Sequence, residues 1–418
     1  MPKSINLTPQ EKQYYLNEYK RIVELIESKK TISLEFKNPW QSHYKIKFLE
    51  LWLKDETQKI NDFDININQF TPIDYLSELN VYLKREDLFM TANNEHSKQI
   101  LSKFSKPRGI QEKIEQEKDK IFITIDTKYS KAGLWISNMV NYYNIKYWNN
   151  NQLYSIINTF FKISETSSES VYQNYYAFRN ILKILKHNNT KVFIFQSVES
   201  LNEKRIANWI TEFYNISNIK QNTFKVISKS FIAEYLTWDE YIKLPMWLRT
   251  PEAVYSNYQQ LKHVLEKQIH TELPINIFAT AWSMTISSWL ALCLYNEIYL
   301  WNNEKLAYLK GRVKLNLCSC WMEYDISKYE KNSKKLEKYW MNIDMSDFDR
   351  FLKEYIVGVE NYLWYGYSYL EKAELKNWLK LNEVYEAKWF NWMLAYLEKY
   401  PEEKEKLNLF WLIWAEEN

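Results

Sequence analysis

Two continuous apolar runs, Ile121-Phe122-Ile123-Thr124-Ile125 and Val192-Phe193-Ile194-Phe195, stand out from a chain that elsewhere mixes apolar and polar positions. β-Branched and aromatic residues follow one another there without alternation, the pattern of strands buried on both faces of an α/β layer. Around them the spacing predicts strands over 120–126, 145–148, 191–197 and 224–229. Helices are expected over 132–143, 150–163, 171–187 and 202–214. Strands that alternate with helices favour a mainly parallel sheet. The first run ends in Asp126-Thr127-Lys128, and the carboxyl end of a strand is where an open α/β sheet usually holds its ligand.

Upstream, Thr8, Pro9 and Glu11 form the capping-box signature of a helix start, with Tyr14, Tyr15 and Ile22 on its apolar face. Thr31 to Phe36, Tyr44 to Leu53 and Phe63 to Ile67 alternate with period two and predict half-exposed strands. Thr71-Pro72 predicts another helix start, Asp87 to Ala92 a strand, and 103–119 a charged surface connection. Beyond 230 strand signals nearly vanish. A helix is expected from Thr250 to about His270, another capped by Ser346 with Asp349, and a last one beginning at Pro401. The uncharged stretch 275–295 is long enough to span a bilayer, but its hydroxyl and amide residues favour a buried helix. The expectation is an α/β (mixed sheet) fold in the N-terminal and central regions with an all-α, aromatic-rich C-terminal domain. The divisions are 1–115 (α+β), 116–230 (basic α/β) and 231–418 (helical).

Composition narrows the chemistry. Eleven of the 18 Trp fall between 282 and 414, so the helical region is aromatic-packed. Gly is scarce: the 5 in the chain are Gly109, Gly133, Gly311, Gly358 and Gly366. A glycine-rich phosphate cradle needs several close together, so ordinary P-loop and dinucleotide fingerprints are excluded. Net charge is +3, but residues 121–230 carry 13 basic and 6 acidic groups, which points to an anionic partner there. The 3 cysteines, Cys293, Cys318 and Cys320, exclude a disulfide framework. With no signal-peptide pattern, they lead to the expectation of a cytoplasmic protein.

On the helix at 171–187, Tyr172, Tyr175, Arg179, Lys183 and Lys186 share one face. Cations beside aromatic rings are what single-stranded nucleic acid requires, and Lys204 and Arg205 add charge nearby. The alternative is a solvated face with snorkelling lysines. After the first apolar strand, Asp126 is suited to bind a divalent cation such as Mg²⁺ or to act as a base. Lys128 and Lys131 would neutralise phosphate there; a polar turn is the plainer reading. His263, Glu266 and His270 have metal-ligand spacing without an evident further partner. Asp344, Asp347 and Asp349 are explained by helix capping.

Two resemblances converge on replication. The order of elements in 120–230 is similar to the ATPase core of helicase loaders and viral replication helicases. That comparison places Lys131 at the phosphate lysine, with Ser130 and Ala132 replacing its usual neighbours, and Gln196-Ser197 where acids are expected. It implies that nucleotide hydrolysis is lost. Asp87-Leu88-Phe89-Met90-Thr91-Ala92-Asn93, followed by Phe122-Ile123-Thr124-Ile125-Asp126, resembles primase-type replication proteins of small phages and plasmids. Those families carry a second acid two residues after the first, a position held here by Lys128. The Asn-, Lys-, Ile- and Tyr-heavy composition suits a mobile element of a low-GC bacterium. The expected function is a cytoplasmic nucleic-acid-binding replication protein, favouring single-stranded DNA, with a protein partner at the helical domain. The alternative is a non-enzymatic assembly factor, in one form attached to a membrane through 275–295.

Overall fold

A computed structural model describes residues 7–37, 43–54, 64–67, 69–93, 98–102, 107–127, 130–158, 167–199, 241–245, 248, 250–281, 285–300, 302–319, 326–339, 341–361, 372–375, 379–383 and 386–413. The chain divides into two compact units, neither continuous in sequence. Unit 1 comprises 1–6, 64–112 and 248–418, and unit 2 comprises 7–63 and 113–247. This division replaces the three consecutive segments expected from composition. A charge gradient follows the chain, whereas these units are assembled from segments far apart in it.

Unit 2 is built on a six-stranded sheet. Its strands are β1 (Ile26–Lys37), β2 (His43–Leu53), β8 (Ile121–Thr127), β9 (Gln152–Asn158), β10 (Thr190–Glu199) and β11 (Tyr241–Lys243), in the order β1-β2-β10-β9-β8-β11. The four later strands run parallel to one another, while β2 is antiparallel to both its neighbours, β1 and β10. The two apolar runs are therefore central strands, separated by β9. The residues of β9 were expected to be helical, and the expected strand at 145–148 falls within or just after helix α3 (Ala132–Tyr147). Leu153, Tyr154, Ser155, Ile156 and Ile157 are all buried, so β9 lacks the alternation that identifies a strand.

The expected cap is present at α1 (Pro9–Leu25): Thr8 accepts from the Glu11 amide and Glu11 returns a bond to the Thr8 amide. That helix lies on α4 (Ser168–Leu185), with Tyr15 against Tyr172 and Tyr175 and Tyr19 against Phe178. The expected helix 202–214 and strand 224–229 lie outside the described residues.

Unit 1 contains a second six-stranded sheet, made of β4 (Ile73–Leu76), β5 (Val81–Arg85), β12 (Ile275–Thr280), β13 (Val313–Ser319), β14 (Ile356–Asn361) and β17 (Leu407–Leu412). Their order is β14-β13-β12-β17-β5-β4, and only β4 is antiparallel to its neighbour. A three-stranded antiparallel sheet joins β3 (Asp64–Ile67), β6 (Met90–Asn93) and β7 (Lys98–Ser102). Two short strands, β15 (Glu374–Leu375) and β16 (Leu379–Lys380), pair separately. The helices are α2 (Arg108–Gln116), α5 (Pro251–His263), α6 (Thr285–Leu294), α7 (Ile326–Leu336), α8 (Met345–Tyr355) and α9 (Glu386–Lys399), with the boundary between the units falling inside α2.

Alternate strand residues serve two apolar cores. Ile277, Ala279, Leu409 and Trp411 pack with α5 to α8, while Phe278, Phe410, Leu83 and Leu412 pack with α9. Aromatic rings lock both: Trp289 meets Trp411 at 5.0 Å and Phe390 meets Phe410 at 5.2 Å, each edge-on.

The α/β class holds for the N-terminal and central regions, and the C-terminal region is helix-rich and aromatic. That region is not all-α, however, because it supplies β12 to β17. Within 275–295, Ile275–Thr280 form a buried strand and Thr285–Leu294 a helix, since apolar residues covered on both faces fit either element. Among the described residues, no helix is long and apolar enough to cross a membrane. Thr71-Pro72 leads into β4 instead of a helix. Pro401 opens only a short 3₁₀ turn before β17.

A buried asparagine organises the amino end of the unit 2 sheet. Asn151 accepts from the Lys120 amide at 2.9 Å and donates to the Glu117 carbonyl at 2.8 Å, while its backbone amide donates to Asn144 at 3.0 Å. An unpaired buried polar group costs about 1–3 kcal/mol. Asn151→Ala should therefore lower unfolding stability by at least about 2 kcal/mol in urea titrations. A loss below about 0.5 kcal/mol would show that the clamp is dispensable.

Candidate functional site

Among the described residues, four successive buried charges lie at the carboxyl end of β5, in unit 1. After Val81 and Leu83 enter the core, the chain places Lys84, Arg85, Glu86 and Asp87 in succession, and all four are buried. Isolated charges do not survive burial, so each must find a partner. Arg85 grips Asp87 with two parallel bonds, Nε to Oδ1 at 2.9 Å and Nη2 to Oδ2 at 2.8 Å, and also pairs with Asp74. Glu86 accepts from the Thr71 hydroxyl through Oε1 and from Arg108 Nη1 through Oε2 at 3.0 Å. The Lys84 ammonium donates to the Thr71 carbonyl and to Gln268 Oε1 at 3.1 Å.

Burial pushes the Lys84 amine down to about 8; Glu86 opposes the shift and Arg108 adds to it. Burial alone would raise the Glu86 carboxyl, but Arg108, Lys84 and Thr71 outweigh it and hold the group below the ordinary carboxylate range. His263 stacks on Phe70 at 3.9 Å, and its pKa is lowered by burial and by Lys84.

Arg108 begins α2, and its side chain is only 7% exposed. Its Cζ lies 4.5 Å from the centre of the Phe89 ring. Nε and Nη2 are buried with no acceptor among the described residues. The next residue is Gly109, where a Cβ would come within 2.0 Å of the Ala253 Cα and N. Only glycine permits this approach of α2 to the first turn of α5, which is capped by Thr250.

The sheet has a switch point between β12 and β17, one strand away from β5. From β12 the chain proceeds outward through β13 and β14, and β17 then returns on the other side, between β12 and β5. Such switch points favour ligand crevices at the carboxyl ends of strands.

A second buried cluster joins α5 to a π-helical turn, Tyr295–Tyr299, that follows α6. Glu297 binds Lys262 at 2.8 Å, Asn303 at 3.1 Å and the Tyr258 hydroxyl. Burial raises the Tyr258 pKa, with Cys293 and Glu297 adding to the effect. Its polar atoms largely satisfy one another, so it clamps helices together.

The residues expected to act from sequence are placed differently. Asp126 lies on β8, with its backbone opposite Ile157 of β9. Lys128, Lys204 and Arg205 lie outside the described residues. Lys131 is buried, with its ammonium 5.3 Å from the Tyr176 ring centre. Tyr172 and Tyr175 are also buried, at 5.1 and 4.9 Å from Tyr15, and α1 covers the surface on which bases would stack. Arg179 and Lys183 are half-buried on α4, as is Lys186 at its C-cap, and Arg179 lies over Tyr175. The correction has a simple cause. Val171, Tyr176, Ala177, Ile181, Ile184 and Leu185 are buried as well, so the helix has little solvated face.

No group of His, Cys, Asp and Glu able to hold a metal occurs among the described residues. His263 and Glu266 instead engage Phe70 and Asn303, and Asp344 caps α8.

No family model and no curated protein matches the chain. Among solved structures it is similar to a mutant of O-ureido-L-serine synthase with O-ureido-L-serine bound, at 7% identity and a TM-score of 0.29. The match covers 64% of this chain and 62% of that one, so the chain spans under two thirds of that protein's length. Similarity this slight carries no functional argument.

The lowered Lys84 pKa makes a pH prediction. A lysine near 8 when folded and 10.5 when unfolded holds fewer protons in the native state between those values. Its contribution to stability therefore rises with pH across that window. The stability of the intact protein relative to Lys84→Met should increase from pH 8 to 10, by a few kcal/mol at most. A pH-independent difference in chemical denaturation would contradict the shift.

Proposed function

We propose that the protein binds a small molecule at the carboxyl edge of the unit 1 sheet. The observation that carries this reading is the fully buried Lys84, with its lowered pKa, inside a charge network one strand away from the switch point of a mainly parallel sheet. Displaced pKa values gather where chemistry or recognition occurs. The neutral form of an amine with this pKa is accessible near physiological pH, so the group can exchange a proton without leaving its partners. The reading assigns a binding role and leaves the reaction open.

A second reading keeps nucleic-acid binding by a replication protein of a phage or plasmid-like element. It is supported by the basic excess over 121–230 and by Trp148, which is 94% exposed in the left-handed conformation at the end of α3. A large ring held outward in a strained backbone region resembles a stacking platform. Lys146, on the preceding turn, is exposed.

One paired experiment separates the readings. A thermal-shift panel of small metabolites grouped by charge should reveal stabilisation by one chemical class, reduced in Lys84→Met. Fluorescence anisotropy of labelled single-stranded DNA should show no tight, salt-sensitive binding. A uniformly silent panel, together with salt-sensitive DNA binding lost in Trp148→Ala, would overturn the first reading and establish the second.

A further inference from the structure

We propose that Arg108 is an oxyanion-binding residue, whose Nε and Nη2 edge receives a carboxylate or phosphate group of the small ligand. The proposal rests on the ligand-binding reading above and specifies the chemistry of its ligand. A guanidinium has two donor edges, and the edge formed by Nε and one terminal nitrogen matches two oxygens of a carboxylate or phosphate. In Arg108, Nη1 is committed to Glu86, while Nε and Nη2 are buried without an acceptor. Buried donors are normally satisfied, so two open ones on the same edge mark a place for an acceptor that the described residues do not supply.

The surroundings restrict what that acceptor can be. Phe89 covers one face of the guanidinium, leaving approach in its plane as the productive direction. Glu86 has one oxygen on Thr71 and the other on Arg108, and Asp87 is held bidentately by Arg85. Neither acid therefore needs Arg108's remaining edge. The amino ends of α2 and α5 also abut through Gly109 and Ala253. Each helix end carries partial positive charge, and two meeting beside an arginine favour an anion over a neutral or cationic group. Carboxylate and phosphate share this recognition chemistry, and the anion titration distinguishes them.

The test titrates the full-length protein with inorganic phosphate, sulfate, acetate or succinate at constant ionic strength, with chloride as the control. Thermal shift and calorimetry provide the readouts. Saturable stabilisation by the tetrahedral ions or by the carboxylates, but not by chloride, is expected. Arg108→Lys should weaken it by about tenfold, because a point charge loses the bidentate geometry.

Arg108→Met alone leaves Glu86 buried without its cation and is prone to misfold. Arg108→Met combined with Glu86→Gln removes both charges. Circular dichroism should show this double variant folded, and its anion response should vanish. An undiminished response in the folded double variant would overturn the assignment. If no anion binds while the metabolite panel finds a neutral or cationic ligand sensitive to Lys84→Met, the oxyanion inference fails and the ligand-binding reading stands. If neither anions nor the panel produce a response, both fail.

Discussion

A carboxylate cannot remain charged inside a protein unless its surroundings replace the water it has lost, and Glu86 is the point where this chain meets that demand. Thr71 and Arg108 bind its two oxygens directly, and Lys84 adds a favourable charge. These groups come from separate stretches, and Gln268 connects a fourth by binding both Lys84 and the Thr71 carbonyl. The network fixes β5 relative to α2 and to the π-helical turn Val264–Gln268 that follows α5. Removing one member would leave another charge buried and unpaired, at a cost of about 3–5 kcal/mol. Stability and the candidate site thus depend on the same bonds.

The surrounding fold explains how those segments reach one place. The parallel sheet of unit 1 is covered on both faces, so alternate residues of β12 and β17 enter different cores. Packing leaves the ends of the strands as the places where polar side chains converge. At the end of β5 the converging groups are charged and buried, with two Arg108 donors still open. The Glu297 cluster is also buried, but its groups largely answer one another. That difference separates a structural clamp from a candidate site.

Local signals were legible wherever local chemistry decided the outcome. Thr8, Pro9 and Glu11 start α1 as their spacing predicts, and alternation identifies β1 and β2. Strands buried on both faces were harder, because β9 and β12 lack the apolar–polar alternation that separates a strand from a short buried helix. Thr71-Pro72 has a helix-start signature, yet Thr71 gives its hydroxyl to Glu86 and the chain continues as β4. Tyr172 and Tyr175 share a helix face as expected, but sequence spacing does not reveal that α1 covers it. The site was hidden for the same reason. Lys84-Arg85-Glu86-Asp87 has the composition of a solvated turn, and its partners Thr71, Arg108 and Gln268 are distant in sequence. The visible clue was Arg108 beside one of only 5 glycines.

The central claim is that the charge network of unit 1 is built to hold a ligand as well as to support the fold. A crystal structure of the intact protein grown with phosphate or succinate tests it most directly. Density for the anion within hydrogen-bond distance of both Arg108 Nε and Nη2, with Glu86 still bound to Nη1, is the predicted result. A fork closed by a carboxylate or carbonyl of the chain itself, with no anion present, would contradict it.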